Sequence, residues 1–411
     1  MDIHDLAKTV MQRCDALAAF TETPGMLTRT FLSEPMHGVH ASIHEWMTQA
    51  GLQVHVDAVG NIIGRKASHA KDAKVLLVGS HLDTVKNAGK YDGILGVLLG
   101  VALAEALAHT PLPFHLDVIG FSEEEGVRFG VPFIGSRAIA GSFDKSLLEL
   151  KDVKDISVAE VIANFGLNVD DISNAAYQPE NVLGYLESHI EQGPRLAAAD
   201  SALGVVSAIV GASRAKISFF GHAGHAGTSP MNLRQDALTG AAEFIMSVES
   251  HARQTPELVA TVGRIEAKPG AGNVIAGEVE LSLDVRHIED AIRYQAIQNL
   301  KAKAEAISQT RNLKVQWQDL MDQAAVPMAT LFVEHLKNLT GPNVSVLPSG
   351  AGHDAMIMAT LTLSAMLFIR SPNGISHHLQ EMVLLTDVEM ALQTLVRCVT
   401  SIWELRTQVA V

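Results

Sequence analysis

The hydrophobic pattern along the chain changes character twice, and the changes divide it. Up to about residue 210, short apolar runs such as "LQVHVDAVGNIIGR", "AKVLLVGSH" and "FHLDVIGF" alternate with longer ones such as "ILGVLLGVALAEAL". The short runs have the length of strands, the long ones that of a buried helix. Their alternation predicts an α/β domain with a central mixed sheet flanked by helices. Near Gly211 the pattern becomes half-buried. "ASRAKISFFG" reads as a strand, "RQDALTGAAEFIMSVESHARQ" as a helix, and "LVATVGRIEAKPG" with "NVIAGEVELSLDVRH" as a two-strand hairpin. "DAIRYQAIQNLKAKAEAISQT" is then a helix and "LKVQWQDL" a strand, completing the βαββαβ order of a ferredoxin-like domain. From about residue 324, "VSVLPSGAGHDAMIM", "LSAMLFIRS" and a final helix return to the first style. The pattern therefore predicts one α/β domain in two parts, residues 1–210 and 324–411, interrupted by an insert at 211–323.

Composition narrows the function. A chain of 411 residues with 47% hydrophobic and 18% charged residues has ample material for two cores. Its formal charge of −14, with no run of Lys or Arg, argues against nucleic acid as a partner. Only Cys14 and Cys398 are present, which excludes a disulfide framework and a cysteine-based zinc site and suits a reducing compartment. The N-terminal segment mixes charge with apolar residues at helical spacing, unlike a secretory signal, and no apolar run approaches a membrane span. The expectation is a soluble cytoplasmic protein.

Candidate chemistry concentrates where strands end. "GSHLDTVKNAGKYDGILG", residues 79–96, sets His81, Asp83 and Asp92 among glycines between a strand and a helix. In open α/β sheets the turn at a strand's carboxyl end is where ligands bind. Further ligand-type residues occur in "SEEEG" at 122–126, "ESHIEQG" at 187–193 and "GISHHLQE" at 374–381. Imidazole and carboxylate without thiolate suit zinc or manganese in an open, catalytic site. Each segment alone has a blander reading: a loop histidine is more often a hydrogen-bonding or surface residue, and three glutamates can form a solvated acidic turn. Three adjacent carboxylates at a strand end, however, repel one another unless a cation neutralises them.

Taken in order, "GSHLDTV", "GKYDGILGV", "EEEGVRFG", "GSRAIAG", "ESHIEQGP", "HAGTSPM", "PGAGNVIAGEVELSLDVRH", "SGAGHDA" and "NGISHH" resemble the M20 metallopeptidase-like amidohydrolases. The branch they resemble contains allantoate amidohydrolases and N-carbamoyl-L-amino-acid hydrolases. The resemblance implies two divalent metal ions per subunit, zinc or manganese, with cobalt or nickel also accommodated. His81, Asp92 and His189 would hold one, and Asp92 would bridge to a second held by Glu125 and His377. Asp83 would orient the His81 imidazole. Glu124 would be the general base toward the attacking water, and His225 the donor to the oxyanion. The family usually continues its last motif as Ser-His-x-Pro-x-Glu, whereas "SHHLQE" has Leu379 at the proline position. His378 is thus an alternative to His377, which stands directly after Ser376 and four residues before Glu381 as the motif requires.

On the substrate side, the resemblance makes Arg286 the carboxylate-binding arginine and Asn273 an amide contact, with Gln192 and the backbone around Gly350 and His353 lining the site. By pattern alone Arg286 reads sooner as an exposed strand residue, since arginine is mostly exposed. Arg214, near the start of the insert, resembles an arginine of the allantoate enzymes and supplies a second polar anchor for a substrate with two ureido arms. The implied reaction is hydrolysis of a ureido C–N bond in a small carboxylate substrate, allantoate first, releasing ammonia and carbon dioxide. N-carbamoyl-L-amino-acid hydrolase or β-ureidopropionase is the nearest alternative, an aminoacylase or dipeptidase a more distant one, and a degenerate metal-binding relative the non-enzyme reading. Relatives pair their inserts, so a homodimer through a lid and dimerisation domain at 211–323 is expected.

Overall fold

The computed structural model describes residues 2–409, with side chains through residue 404. Two compact units emerge: Ala208–Pro327 forms one, and the residues on either side of it together form the other.

In the first unit, Val75–His81 lies between His115–Phe121 and Val182–Ile190, both parallel to it, and Val182–Ile190 pairs in parallel with Ser364–Ile369. These four strands therefore end along one edge. Antiparallel strands flank them: Gln53–Val56 and Ile62–Lys66 on one side, Leu203–Ile209 on the other. The central strands are buried on both faces, which explains their uninterrupted apolar runs. Helix Ile94–Ala106 is buried all round, from Ile94 through Ala104, so it has no polar stripe to display. Gly93, directly before it, has φ +68, and a Cβ there would come within 2.4 Å of the His81 ring. Glycine at this position lets the turn close over that imidazole.

Two segments differ from the sequence expectation. "LQVHVDAVGNIIGR" is a hairpin rather than one run, because the Asp57 carboxylate accepts from the Val59 and Asn61 N–H groups and turns the chain. "LVATVGRIEAKPG" breaks into Val259–Thr261 and Ile265–Lys268, both paired with Glu278–His287. Ahead of that strand, Val274–Ile275 leaves the sheet to pair with Gly224–His225.

The second unit is an antiparallel sheet ordered Ile265–Lys268, Glu278–His287, Gly211–Phe220, Lys314–Gln323. Helices Ala237–Gln254 and Asp290–Arg311 share a core with it that includes Ile217, Phe219, Phe244, Leu281 and Leu300. Burial alternates strictly along Glu278–His287, with Val279, Leu281, Leu283 and Val285 inside. Glu280, Asp284 and Arg286 consequently share the opposite face. Among the described residues, no helix is long and apolar enough to cross a membrane.

Candidate metal centre

The common edge of the parallel strands gathers the first-unit candidates. His81 is the last residue of its strand, His189 the penultimate of its own, Glu123 to Glu125 follow Phe121, and His377 lies beyond Ile369. His81, Asp83, Asp92, Glu123, Glu124, His189 and His353 are all buried.

Hydrogen bonds fix which face each imidazole presents. The Nδ1 of His81 lies 3.0 Å from the Asp83 carbonyl oxygen and 3.4 Å from Asp83 Oδ1, and that of His189 lies 2.9 Å from the Ile190 carbonyl oxygen. A carbonyl oxygen only accepts, so both Nδ1 atoms carry hydrogen, and each Nε2 presents a lone pair whenever its ring is neutral. Those two Nε2 atoms face each other at 3.3 Å, and His189 Nε2 is 3.3 Å from Asp92 Oδ1. Three electron-rich atoms at this spacing need a proton or a cation between them. A tetrahedral zinc with bonds of about 2.0–2.1 Å sets its ligands roughly 3.3 Å apart, which fits. The other oxygen of Asp92 serves a second group: Oδ2 is 3.1 Å from His377 Nε2, which is 3.7 Å from Glu125 Oε1. His81, Asp92 and His189 thus form one set able to hold a metal and Asp92, Glu125 and His377 another, joined through one carboxylate. His378, by contrast, is exposed, and its Nδ1 accepts from the Gln380 N–H in its own loop.

Around these donors sits a frame of carboxylates. Asp83 accepts from the Glu124 N–H with one oxygen (2.9 Å) and the Glu125 N–H with the other (3.1 Å), so the residue that orients His81 also sets the acidic turn. Glu123 turns inward and accepts from the Gly126 N–H. Glu124 points to neither ligand set as a bridge, but it lies within reach of His81 and Glu125. Gln192, at φ +59 two residues after its strand, donates its amide to both oxygens of Asp92 at 3.0 Å. His353 packs its ring against His189 with centroids 4.4 Å apart, and its Nε2 is 2.9 Å from Ser349 Oγ. Gly350 is exposed beside them, with open space where a Cβ would stand. Glu187 is close to His189 and His353, but it already accepts from Ser80 Oγ, Tyr185 Oη and the Ala355 N–H and serves as scaffold.

The charges record the crowding. Burial pushes Glu124 well above the usual carboxylate range against the pull of His81, with Glu125, Asp354 and Asp83 reinforcing the rise. Burial, with Asp92 and Asp83, raises Glu125 to about 7. Burial would lower His81, yet its bond to Asp83 and the charges of Glu124, Asp83 and Asp92 raise it well above 6.5. Burial lowers His189 to about 4. Asp92 is held below the ordinary range despite its burial, by its bond to His377 and the charges of His189, His81 and His377. Several buried carboxyls competing for too few positive charges make a donor set suited to divalent cations.

The remaining candidates lie in the second unit. His225 and Asn273 are exposed neighbours: Val274 is the register partner of His225, and the Ala226 N–H donates to the Asn273 carbonyl at 2.9 Å. Arg214 and Arg286 are tied together by a residue the sequence reading passed over. Asp284 is the register partner of Arg214, accepts from its Nε at 2.9 Å, and accepts from Arg286 Nε at 2.7 Å and Nη2 at 3.0 Å. The i, i+2 spacing of Asp284 and Arg286 in an alternating strand is the signal that would have found it. Glu381 was also passed over as anything but a motif position. It is buried and accepts from the backbone of Tyr91 and Asp92.

Comparison with known proteins places this arrangement. The family model described as Peptidase family M20/M25/M40 matches residues 77–401. An allantoate deiminase of Arabidopsis thaliana is 38% identical, over 94% of this chain and 82% of its own. An N-carbamoyl-L-amino acid amidohydrolase of Geobacillus stearothermophilus is 37% identical, over 93% and 94%. Among solved structures, a hydantoinase/carbamoylase family amidase from Burkholderia multivorans superposes with a TM-score of 0.90 at 29% identity, covering 96% of this chain and 97% of that one.

Proposed function

The chain belongs to the M20/M25/M40 peptidase family, and from that premise we propose a dinuclear metal-dependent amidohydrolase that cleaves a ureido C–N bond, with allantoate as its substrate. The observation that carries the reading is Asp92, whose two oxygens each lie beside a separate set of imidazole and carboxylate donors. Mixed nitrogen and oxygen donors of this kind accept zinc, manganese, cobalt or nickel. Two such cations would act as Lewis acids on the ureido carbonyl and lower the pKa of a neighbouring water.

The protein's own groups then divide the work. Glu124, buried beside the donors, takes the proton of the attacking water and passes it to the departing nitrogen. The products are an amine and carbamic acid, which breaks down to ammonia and carbon dioxide. His225 Nδ1 accepts from the Gly227 N–H at 3.1 Å, so its hydrogen is on Nε2, where it can be donated to the oxyanion. Asn273 supplies an amide contact, and Arg286 the fork for the substrate carboxylate. Gln192, Gly350 and His353 line the metal side. Arg214 is read as the contact to the distal ureido arm that allantoate has and simple carbamoyl amino acids lack.

The second unit is read as a ferredoxin-like lid that also forms a homodimer. Its terminal strand Lys314–Gln323 is an edge strand that exposes Leu320, and proteins usually pair or cover such edges. The two buried, unpaired thiols of Cys14 and Cys398 suit a reducing, cytoplasmic setting.

N-carbamoyl-L-amino acids are the second reading, favoured by the name and near-complete coverage of the Geobacillus relative. Turnover of metal-loaded protein on allantoate and on several N-carbamoyl-L-amino acids decides between them. Higher kcat/KM on allantoate is expected. Preference for a carbamoyl amino acid promotes the second reading, and turnover of neither class rejects both.

A further inference from the structure

Asp92 and His377 stand 285 residues apart in sequence, yet their side chains meet at 3.1 Å. What holds them in register is not evident from either residue. His377 sits in an exposed loop, is itself half exposed, and has a left-handed backbone at φ +54. Leu379, at the position where the family usually carries a proline, is exposed as well and does not anchor the loop. The chain goes back inside at Glu381, which is buried.

The Glu381 carboxylate joins the two loops. One oxygen accepts from the backbone N–H of Tyr91 at 2.9 Å and of Asp92 at 3.1 Å, and the other accepts from Ser376 Oγ at 3.0 Å. Its own N–H donates to the His378 carbonyl at 2.9 Å, closing a turn over residues 378–381 directly after His377. The fit is tight: a Cβ on Gly89 would lie 2.3 Å from Glu381 atoms, so the glycine in "NAGKYDG" clears room for this carboxylate. We infer that Glu381 is a positioning residue that clasps the Asp92 loop to the His377 loop and thereby sets the affinity of the metal site formed by Asp92, Glu125 and His377. The inference rests on the reading of those three residues as ligands. Partners one layer behind metal ligands typically change metal affinity by about 10- to 100-fold.

Positioning and charge make opposite demands on substitutions. Glu381→Gln removes the charge but keeps an oxygen at the same reach for the two N–H groups, and Ser376 can turn its hydroxyl to accept from the new amide. Glu381→Asp keeps the charge and shortens the reach by one methylene. The experiment is cobalt(II) titration of the metal-free full-length protein, followed by visible absorption and calorimetry, with circular dichroism to verify folding. Wild type is expected to take up two equivalents. Glu381→Ala and Glu381→Asp should weaken one equivalent by about tenfold or more, and Glu381→Gln should stay within about threefold of wild type. Where Glu381→Ala does not fold, the Asp and Gln variants carry the comparison. Two tight equivalents in Glu381→Asp overturn the proposal, as does a weakened equivalent in Glu381→Gln with Glu381→Asp unaffected, which assigns the effect to charge. His377→Ala in the same titration separates the two levels. If it still takes up both equivalents like wild type, or if wild type binds fewer than two, the ligand reading fails and the clasp falls with it.

Discussion

The buried edge of the first unit and the open sheet face of the second hold their candidate residues in different ways. Around His81, Asp92 and His189 several anchoring partners, Asp83 and Glu381 among them, are themselves buried. Asp83 binds His81 and two backbone N–H groups, and Glu381 binds two more. On the second unit, Arg214 and Arg286 are held by one shared carboxylate, with Arg214 about half exposed, and His225 is bound to its own loop. The first arrangement suits chemistry, because preorganised charges in a dry site act strongly on a developing charge. The second suits recognition of a substrate whose arrival displaces or shares existing ion pairs, in a medium that screens them. Arg214 and Arg286 also share Asp284, so the three side chains together carry a net charge of +1.

The sharpest way to break the first region is at Glu124, which adjoins the ligands without joining the two sets through Asp92. Glu124→Gln removes the proton acceptor and leaves both donor sets whole. Metal content should stay at two equivalents while kcat falls by about 10²–10⁴, the usual weight of a positioned acid–base group. Metal analysis and steady-state kinetics on one preparation check it. A kcat within a few-fold of wild type would mean that another group activates the water.

The second region should yield smaller effects that depend on the substrate. Arg286→Ala removes a charge-assisted contact worth about 1.5–3 kcal/mol, so kcat/KM should fall roughly ten- to hundredfold on every carboxylate substrate. Arg214, being half exposed, should matter only a few-fold, and only for allantoate with its second ureido arm. Kinetics of both variants on allantoate and one N-carbamoyl amino acid test the division. Equal losses on both substrates in Arg214→Ala would remove the argument that it reads the distal arm.

Much of the first region was legible in the sequence because strand length and burial leave few choices. An uninterrupted apolar run followed by His81, or by Glu123 to Glu125, puts those residues at the carboxyl end of a parallel strand whatever the neighbours are. Period reveals which face a residue takes but not what stands opposite it. The bonds from Asp83 to the Glu124 and Glu125 N–H groups, and from Glu381 to Tyr91 and Asp92, depend on the register between distant segments, and nothing local announces them. The hairpin at Asp57 to Asn61 was hidden for a different reason: its turn residues Asp57, Gly60 and Asn61 are spread through a stretch that apolar residues flank closely on both sides. Asp284 lay in plain view but is polar, charged and mid-strand, so pattern alone gives it to solvent.

The two regions should also differ in their response to pH, by about tenfold. In the metal-free first unit, Glu125 is raised to about 7, and His81 and His377 are raised above 6.5, so these candidate donors bind protons near neutrality. A cation must displace those protons, hence metal affinity should rise with pH. For one group with a pKa of about 7, the unprotonated fraction grows roughly tenfold between pH 6 and pH 8, and coupled neighbours steepen the change. The same sign applies to folding. Because the folded pKa of Glu125 exceeds its unfolded value, its contribution to the stability of the metal-free protein is present below about 4.5 and lost as pH rises through 7; a bound cation should reverse that loss. Asp284 offers no such lever, since its bonds to Arg286 and Arg214 outweigh burial and hold it below the ordinary carboxylate range, while the bond to Asp284 raises Arg286 further. Chelator-competition titrations and thermal melts at pH 6, 7 and 8, with and without metal, should show affinity and metal-induced stabilisation climbing together, while KM for the carboxylate substrate in metal-saturated protein stays flat. Metal affinity that is level across this range would mean that the donors are already unprotonated at pH 6 and that the crowded carboxyls are neutralised by something other than protons.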